Sequence, residues 1–413
     1  MADSPRYDVR VVLCDLDGAP ISLLTNISHL LSGPFRANRP QSLTFQVPSD
    51  DPMVNLAHTD TYVDPASGSV VQFPYLSEGN RTVKVYRRDA AAVAGTPGTG
   101  ASPYGSTPPW TIFYIWRVWQ LDDEGDEDTA TTTVTCFDNW QVLNHRACLG
   151  SVASYGSTVY YIDRVDNVAK GLVDASNAFV GPTGITTSGG TFDAPTEVEV
   201  TYDEYFVGVA LADLTNMGIC DVILDPIDSI DGTHARLSIR GTAGNYKPNA
   251  VFAWDLGNRS IQKISRTTDM ETVANLGHMF GGTSVPSVEA DVVTNGFTLV
   301  STWADTDSQA RYTVLEDQPV QNQITNQALL DTLALEEAAL RANPRELLTI
   351  VPNPDKAPIV KTEYWIHDTV PVFASRRLRK PIIGVSRVYG LDWGRDDDGF
   401  ELVSQIITSE DAE

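Results

Sequence analysis

The stretch Gln41-Ser42-Leu43-Thr44-Phe45-Gln46-Val47-Pro48 indicates the fold class of the chain most directly. Leu43, Phe45 and Val47 alternate with polar residues, which is the period-two pattern of a strand with one buried face. Pro48 ends the pattern, because proline lacks the backbone N–H that a strand ladder needs. The sequence therefore predicts a half-buried strand over residues 42–48.

Similar strand patterns fill residues 1–150. They occur at residues 7–13 (YDVRVVL), 82–87 (TVKVYR) and 131–138 (TTTVTCFD), and the aromatic run WTIFYIWRVW at 110–119 predicts the strongest strand. Short strands at this spacing predict a barrel or a sandwich.

The pattern changes from about residue 151. Apolar residues three and four apart predict an amphipathic helix from Val159 to about Ser176. A second helix is predicted at 206–217 and ends before Gly218, which occupies a capping position. With strands predicted at 220–224 and 235–239, residues 151–245 read as a small α/β insertion domain.

Strand patterns return from residue 246 to the end of the chain. Within this part, Thr268-Asp269-Met270-Glu271 matches a capping box and predicts a short helix. Spaced leucines predict another helix from Ile324 to Leu340, a helical excursion near 322–343. The predicted fold class is mainly β with an α/β insertion: a β domain at 1–150, the insertion at 151–245 and a second β domain at 246–413.

Composition narrows the possible functions. The chain has 413 residues, 42% of them hydrophobic, and a net charge of −25, which disfavours tightly held nucleic acid because phosphates would be repelled. No apolar run is long enough to span a membrane, and the N-terminal residues lack a signal-peptide pattern, so folding in a cytoplasm is expected. The cysteines do not form a zinc-site pattern, and we expect buried free thiols at Cys14, Cys136, Cys148 and Cys220.

One motif resembles the catalytic motif of an enzyme family. An apolar strand followed by Asp15-Leu16-Asp17-Gly18 resembles the first motif of haloacid-dehalogenase-type phosphatases, which would make Asp15 the nucleophile and Asp17 a general acid. That family needs the strand inside a parallel sheet flanked by helices, whereas hairpin strands follow here. A turn between antiparallel strands is therefore the favoured interpretation.

Other candidate sites are weaker still. The acidic turns at 122–128 and at 396–398 with Glu401 carry possible calcium ligands, but the second is shorter than the roughly twelve-residue loop of an EF-hand, so solvated turns are favoured. Four aromatic residues offer either a sugar-stacking surface or a core, and their alternation favours the core: Trp110, Tyr114, Trp116 and Trp119. We predict no catalytic, cofactor-binding or metal-binding residues.

The order of the motifs resembles phage tail hub proteins of long non-contractile tails, and more narrowly the baseplate-hub-like minor tail proteins of actinobacterial siphophages. The N-terminal motifs that carry the resemblance are SLTFQVP (42–48), VKVYR (83–87) and IWRV (115–118). Those nearer the C-terminus are DTDSQARY (305–312), EYWIHDTVPV (363–372), RVYGL (387–391) and DGFE (398–401).

The resemblance implies a homotrimer in which each chain supplies two tail-tube-like β-barrels. Such a tail-tip hub adapts the sixfold tail tube to a threefold tip, beside a distal tail protein ring and a tape measure protein, and anchors tail fibres or receptor-binding proteins. DNA is a partner only in passage through the lumen. The location implied is the virion tail tip, assembled in the host cytoplasm, without enzymatic activity or cofactors.

Two alternatives stay open from the sequence. One is a tip-associated hydrolase or phosphatase-like enzyme that uses Asp15 and Asp17, and the other is a carbohydrate-binding tip module. Under the hub interpretation, the polar face of the opening strand, Ser42, Thr44 and Gln46, faces a channel or a neighbouring subunit.

Overall fold

A computed structural model gives the structure of most of the chain. It describes residues 7–27, 29–54, 59–63, 70–89, 110–125, 130–149, 159–202, 205–254, 259–283, 288–289, 292–293, 298–322, 324–375, 378, 380–395 and 400–410. No helix within these ranges is long and apolar enough to cross a membrane.

Strands dominate the described residues. They are β1 (Tyr7–Cys14), β2 (Pro20–Leu23), β3 (His29–Arg36), β4 (Ser42–Pro48), β5 (Thr59–Val63), β6 (Val70–Pro74), β7 (Thr82–Asp89), β8 (Thr111–Gly125), β9 (Ala130–Phe137), β10 (Val159–Arg164), β11 (Ile185–Thr186), β12 (Phe192–Asp193), β13 (Glu197–Tyr202), β14 (Asp221–Pro226), β15 (Ala235–Arg240), β16 (Phe252–Ala253), β17 (Ile261–Asp269), β18 (Leu276–Thr283), β19 (Val288–Glu289), β20 (Val292–Val293), β21 (Thr298–Ala304), β22 (Glu316–Asp317), β23 (Val320–Gln321), β24 (Arg345–Pro352), β25 (Thr369–Ala374), β26 (Ile382–Arg395) and β27 (Glu401–Glu410). The helices are α1 (Asn139–Leu143), α2 (Val165–Phe179), α3 (Val207–Asn216), α4 (Thr306–Tyr312) and α5 (Gln327–Arg341).

One curled sheet of 13 strands unites the two ends of the chain. Its main order is β17-β24-β27-β26-β3-β4-β9-β8-β7-β1-β2, with β25 on β26 and β16 on β25. The join is the antiparallel pairing of β3 with β26, where Phe35 lies opposite Leu391. The predicted mainly β architecture is confirmed, and the structure adds that both β segments share this sheet.

The opening strand lies near the centre of this sheet, between β3 and β9. Leu43, Phe45 and Val47 are buried, as the alternation predicts. The polar residues between them are half-buried within one chain, and Gln46 Nε2 donates to Thr133 Oγ1 at 3.1 Å. Whether this face meets a channel or another subunit stays a prediction.

The core under the sheet contains aromatic side chains from both β segments. Phe113 of β8 stacks on Trp393 of β26 with ring centroids 4.4 Å apart, and Phe35 of β3 meets Trp365 edge-on at 5.1 Å. Contacts of this kind add to the free energy of burying the rings. The two β segments therefore share one hydrophobic core as well as one sheet.

A second core forms around the predicted insertion, described here at residues 159–202 and 205–245 and called the insert below. The apolar faces of α2 and α3 pack there with strands β13 to β15. Met279 of β18, Trp303 of β21 and Leu330 of α5 join the same core, although they lie beyond residue 245. A shared core shows which residues pack together, but it does not show which segments fold independently. The domain boundaries at 150 and 245 therefore stay a prediction.

Two helix predictions are corrected. Residues 159–164 form β10, because Val159-Tyr160-Tyr161-Ile162 is a β-branched and aromatic run that pairs with β13, and the helix starts only at Val165. Ile162, expected on the buried helical face, is 67% exposed. The prediction of a short helix after Thr268 is wrong as well. That residue lies in β17, and Asp269 Oδ1 accepts the N–H of Glu271 at 2.8 Å to close a turn.

Other local predictions are confirmed. Helix α3 ends before Gly218, whose φ of +76° favours glycine. The helix predicted from Ile324 to Leu340 is present as α5, but it begins only after Asn326, whose Oδ1 accepts the N–H of Leu329 at 3.1 Å. The four cysteines are free and buried.

Candidate functional site at the seam between the sheet and the insert

The Asp-Leu-Asp-Gly turn after β1 lies against the insert. The N–H of Gly232 donates to the carbonyl oxygen of Asp17 at 2.9 Å, and His234 Nε2 lies 2.7 Å from the carbonyl oxygen of Leu16. A carbonyl oxygen only accepts, so Nε2 of His234 carries a proton. The turn thus binds the insert through its backbone. We call this region, where the sheet meets the insert, the seam.

Lys84 on β7 reaches the same loop of the insert. Its Nζ donates to Asp228 Oδ1 at 2.9 Å and to the carbonyl oxygen of Ser229 at 2.6 Å, while its side chain is only 2% exposed. Gly18 has a φ of +95°, and a Cβ there would lie 2.5 Å from the oxygen of Ser229. The glycine that completes the phosphatase-like motif is therefore explained by this close approach.

The geometry around Asp15 and Asp17 differs from that of the phosphatase family. Strand β1 pairs antiparallel with both β2 and β7, so it is not part of a parallel sheet. Asp15 Oδ1 accepts the N–H of Ala19 at 2.8 Å, which closes the turn. Across the described ranges, no three or more His, Cys, Asp or Glu side chains are grouped to hold a metal ion. The structure places both aspartates in a turn between antiparallel strands.

Asp221, the first residue of β14, joins three parts of the chain. Its Oδ2 accepts from Arg387 at 2.6 Å and from the N–H of Ala243 at 2.7 Å. Its Oδ1 accepts from Asn38 Nδ2 at 2.9 Å and lies 3.4 Å from His367 Nδ1. Burial by itself raises the pKa of this carboxyl, but the hydrogen bond and charge of His367, with the other donors, hold the pKa of Asp221 well below its ordinary value.

The backbone near Asp221 is held in uncommon conformations. Asn38 and His367 have positive φ angles of 58° and 73°. A Cβ on Gly244, itself at φ +85°, would lie 2.1 Å from the carbonyl oxygen of His367. Positive φ costs free energy for residues with a side chain, so surrounding contacts must maintain it. The cluster around Asp221 supplies such contacts.

A small cavity of about 10 Å³ also lies in the seam, and its wall includes Tyr114, Asp138, Asn139 and His234. Asp138 caps α1: its Oδ1 accepts the N–H of Trp140 and its Oδ2 accepts from the Tyr114 hydroxyl, both at 3.1 Å. Burial raises the pKa of Asp138 to about 7, against the opposing effect of these hydrogen bonds.

The remaining sequence candidates occupy other places. Trp116 and Tyr114 are buried, which confirms a core role for these two, and Arg88 lies over the ring of Trp110 at 4.4 Å. The side chain of Glu401 is only 6% exposed, and Trp393 Nε1 donates to it at 2.8 Å. Residues 126–129 and 396–399, the tips of the acidic turns, lie outside the described residues.

Comparisons with solved structures show which proteins share this fold. No family model matches the sequence, and no curated protein matches it significantly. Among solved structures, the chain is similar to the tail protein from Neisseria meningitidis, with 14% identity, a TM-score of 0.54, and coverage of 98% of this chain and 97% of that one.

Two further solved structures are similar to this chain. A prophage tail protein from Listeria monocytogenes has 11% identity and a TM-score of 0.51, with 98% of this chain and 94% of that chain covered. The 43 kDa tail protein of a prophage from Shewanella oneidensis has 12% identity and a TM-score of 0.51, with 97% and 98% covered. The chain therefore has the fold of these tail proteins over nearly its whole length.

Proposed function

We propose that the chain is a structural tail-tip hub of a phage virion, which works as a homotrimer. It adapts the sixfold tail tube to the threefold tip and anchors tail fibres or receptor-binding proteins. The observation that carries the proposal is the fold shared with the Neisseria meningitidis tail protein over 98% of this chain and 97% of that one. Both chains are matched over nearly their whole length, which supports a common role for the whole chain and not for one part of it.

The proposed threefold arrangement follows from the number of β segments in each chain. Each chain contributes two β segments joined by the pairing of β3 with β26. Three such chains present six strand-rich units around one axis, which is the number needed to meet a hexameric tube. The proposed neighbours are therefore a distal tail protein ring above the hub and a tape measure protein inside it.

The seam suits a mechanical role. Lys84 ties β7 to the loop at Asp228, and Asp221 ties the insert to Arg387 of β26. Charge-assisted hydrogen bonds are directional, so these partly buried contacts favour one orientation of the insert on the sheet. An insert held in one orientation can transmit mechanical force between the tube and the tail fibres. We propose that these fibres bind the insert.

The charge of the chain suits a DNA channel. Three copies would carry 3 × (−25) = −75. We place part of this charge on the lumen, where repulsion of phosphates lets DNA pass without binding. On this proposal the chain sits at the virion tail tip after assembly in the host cytoplasm.

Deletion and complementation in the phage test the structural role against the enzymatic alternative. Deleting the gene is expected to abolish infectious particles with complete tail tips. The double variant Asp15→Asn, Asp17→Asn should restore them to the wild-type level. The introduced asparagine at position 15 still offers a side-chain oxygen to the Ala19 N–H, and Leu16 and Asp17 bind the insert through backbone oxygens. Particle counts and plaque titres measure both outcomes.

The exposed Asp50→Asn is the control for loss of a single carboxylate charge away from the turn. Complete tails with a large loss of titre in the double variant alone would support an enzyme and contradict the proposal. Complete tips from the deletion strain would also contradict it.

A further inference from the structure

Two buried polar atoms, on residues that line the seam cavity, have no hydrogen-bond partner among the residues that the structure describes. They are Asn139 Nδ2 and His234 Nδ1, on side chains that are 6% and 5% exposed. Both residues line the cavity of about 10 Å³. A buried donor or acceptor without a hydrogen-bond partner lowers the stability of the fold by about 1–3 kcal/mol. We therefore expect each of these atoms to have a partner.

The two atoms need opposite partners. The proton of His234 is on Nε2, which faces the carbonyl oxygen of Leu16 at 2.7 Å. Burial lowers the pKa of His234, so the ring is neutral and Nδ1 offers a lone pair. Asn139 Nδ2 offers hydrogens instead. The missing partner must therefore donate to one atom and accept from the other.

The size of the cavity restricts the occupant further. About 10 Å³ is close to the smallest space that holds one water molecule. The backbone packs closely against the amide at Gly184, where a Cβ would lie 2.3 Å from Asn139 Nδ2. This volume suits a single water molecule, and the hydrogens on Asn139 Nδ2 disfavour a cation as its neighbour.

We propose that the seam binds one structural water molecule, which accepts from Asn139 Nδ2 and donates to His234 Nδ1. Asp138 lines the same wall of the cavity, and its side-chain oxygens are acceptors for the second hydrogen of the water. The water links the segment after β9 with the loop before β15, so it belongs to the contacts that hold the insert on the sheet. The proposal does not depend on the function of the chain in a tail.

A high-resolution crystal structure of the full chain tests the site directly. We expect one density peak at about 2.7–3.2 Å from both Asn139 Nδ2 and His234 Nδ1. An empty cavity would overturn the proposal. So would a peak at the shorter distances of about 2.3–2.6 Å that mark a coordinated cation such as calcium, or a peak that appears only in crystals grown with ammonium.

Oxygen-17 relaxation dispersion tests the same water in solution. The variant Asn139→Leu removes the donor at nearly constant volume and should lose one slowly exchanging water relative to wild type. The same change at the exposed Asn216 should lose none. Equal numbers of slow waters in wild type and Asn139→Leu would overturn the proposal, and if that variant does not fold, the wild-type crystal structure decides alone.

Discussion

Replacing Asp221 with alanine is expected to lower the free energy of unfolding by about 3–5 kcal/mol. The change leaves the guanidinium of Arg387 without its 2.6 Å partner and frees the N–H of Ala243, both in the seam. The side chain of Asp221 is 8% exposed and that of Arg387 is 21% exposed, so removal of the carboxylate leaves a charge that stays largely desolvated and costs more than the pair contributes. Urea unfolding followed by tryptophan fluorescence measures the loss.

The pH dependence gives a second signature of the same carboxylate. The pKa of Asp221 in the folded chain lies below the unfolded value of 3.8, so its stabilisation is fully present above that pH and is lost as the pH falls below it. The exposed Asp50→Ala should change stability by no more than about 0.5 kcal/mol. A loss below about 1 kcal/mol for Asp221→Ala would show that Asp221 does not hold the seam together.

Replacing Asp138 with asparagine is expected to remove a pH-dependent penalty from the folded chain. Burial raises the pKa of Asp138 from 3.8 to about 7, so the folded state keeps a proton that the unfolded state loses. Stability from this group therefore falls as pH rises from about 4 to 7, by roughly 4 kcal/mol for a shift of about three units. Asparagine carries no charge and still caps a helix well.

The difference in stability between Asp138→Asn and wild type isolates this carboxyl from the others that titrate. The variant should gain stability relative to wild type from pH 5 to pH 8, as measured by urea unfolding at each pH. Asp138→Ala is the control, because it removes the charge together with the oxygen that accepts from Trp140. A constant difference between wild type and Asp138→Asn across this range would contradict the raised pKa.

Local sequence patterns predict local structure where one pattern dominates. The alternation through Leu43, Phe45 and Val47 predicts β4 correctly, because one face of that strand packs on the core. The pattern from Val159 to Ser176 satisfies two periods at once. Strand propensity and pairing with β13 determine its first six residues, which a helical period alone cannot reveal.

The seam could not be predicted from local patterns. Asp221 meets Arg387 across 166 positions of the chain, and Lys84 meets Asp228 across 144. Such pairs depend on the way in which the insert folds back on the sheet, and no spacing in the sequence encodes that. Gly18 was the local signal for the seam in the sequence, because a glycine after two aspartates is typical of a turn and of a close approach between backbones.

A reconstruction of the tail tip by electron cryomicroscopy tests the hub proposal most directly. We predict three copies of the chain around the tail axis, with the two β segments of each copy alternating to form six units below the hexameric tube. We also predict an acidic lumen. Six copies, copies along the tail shaft, a neutral or basic lumen, or a tip without the chain would contradict the proposal.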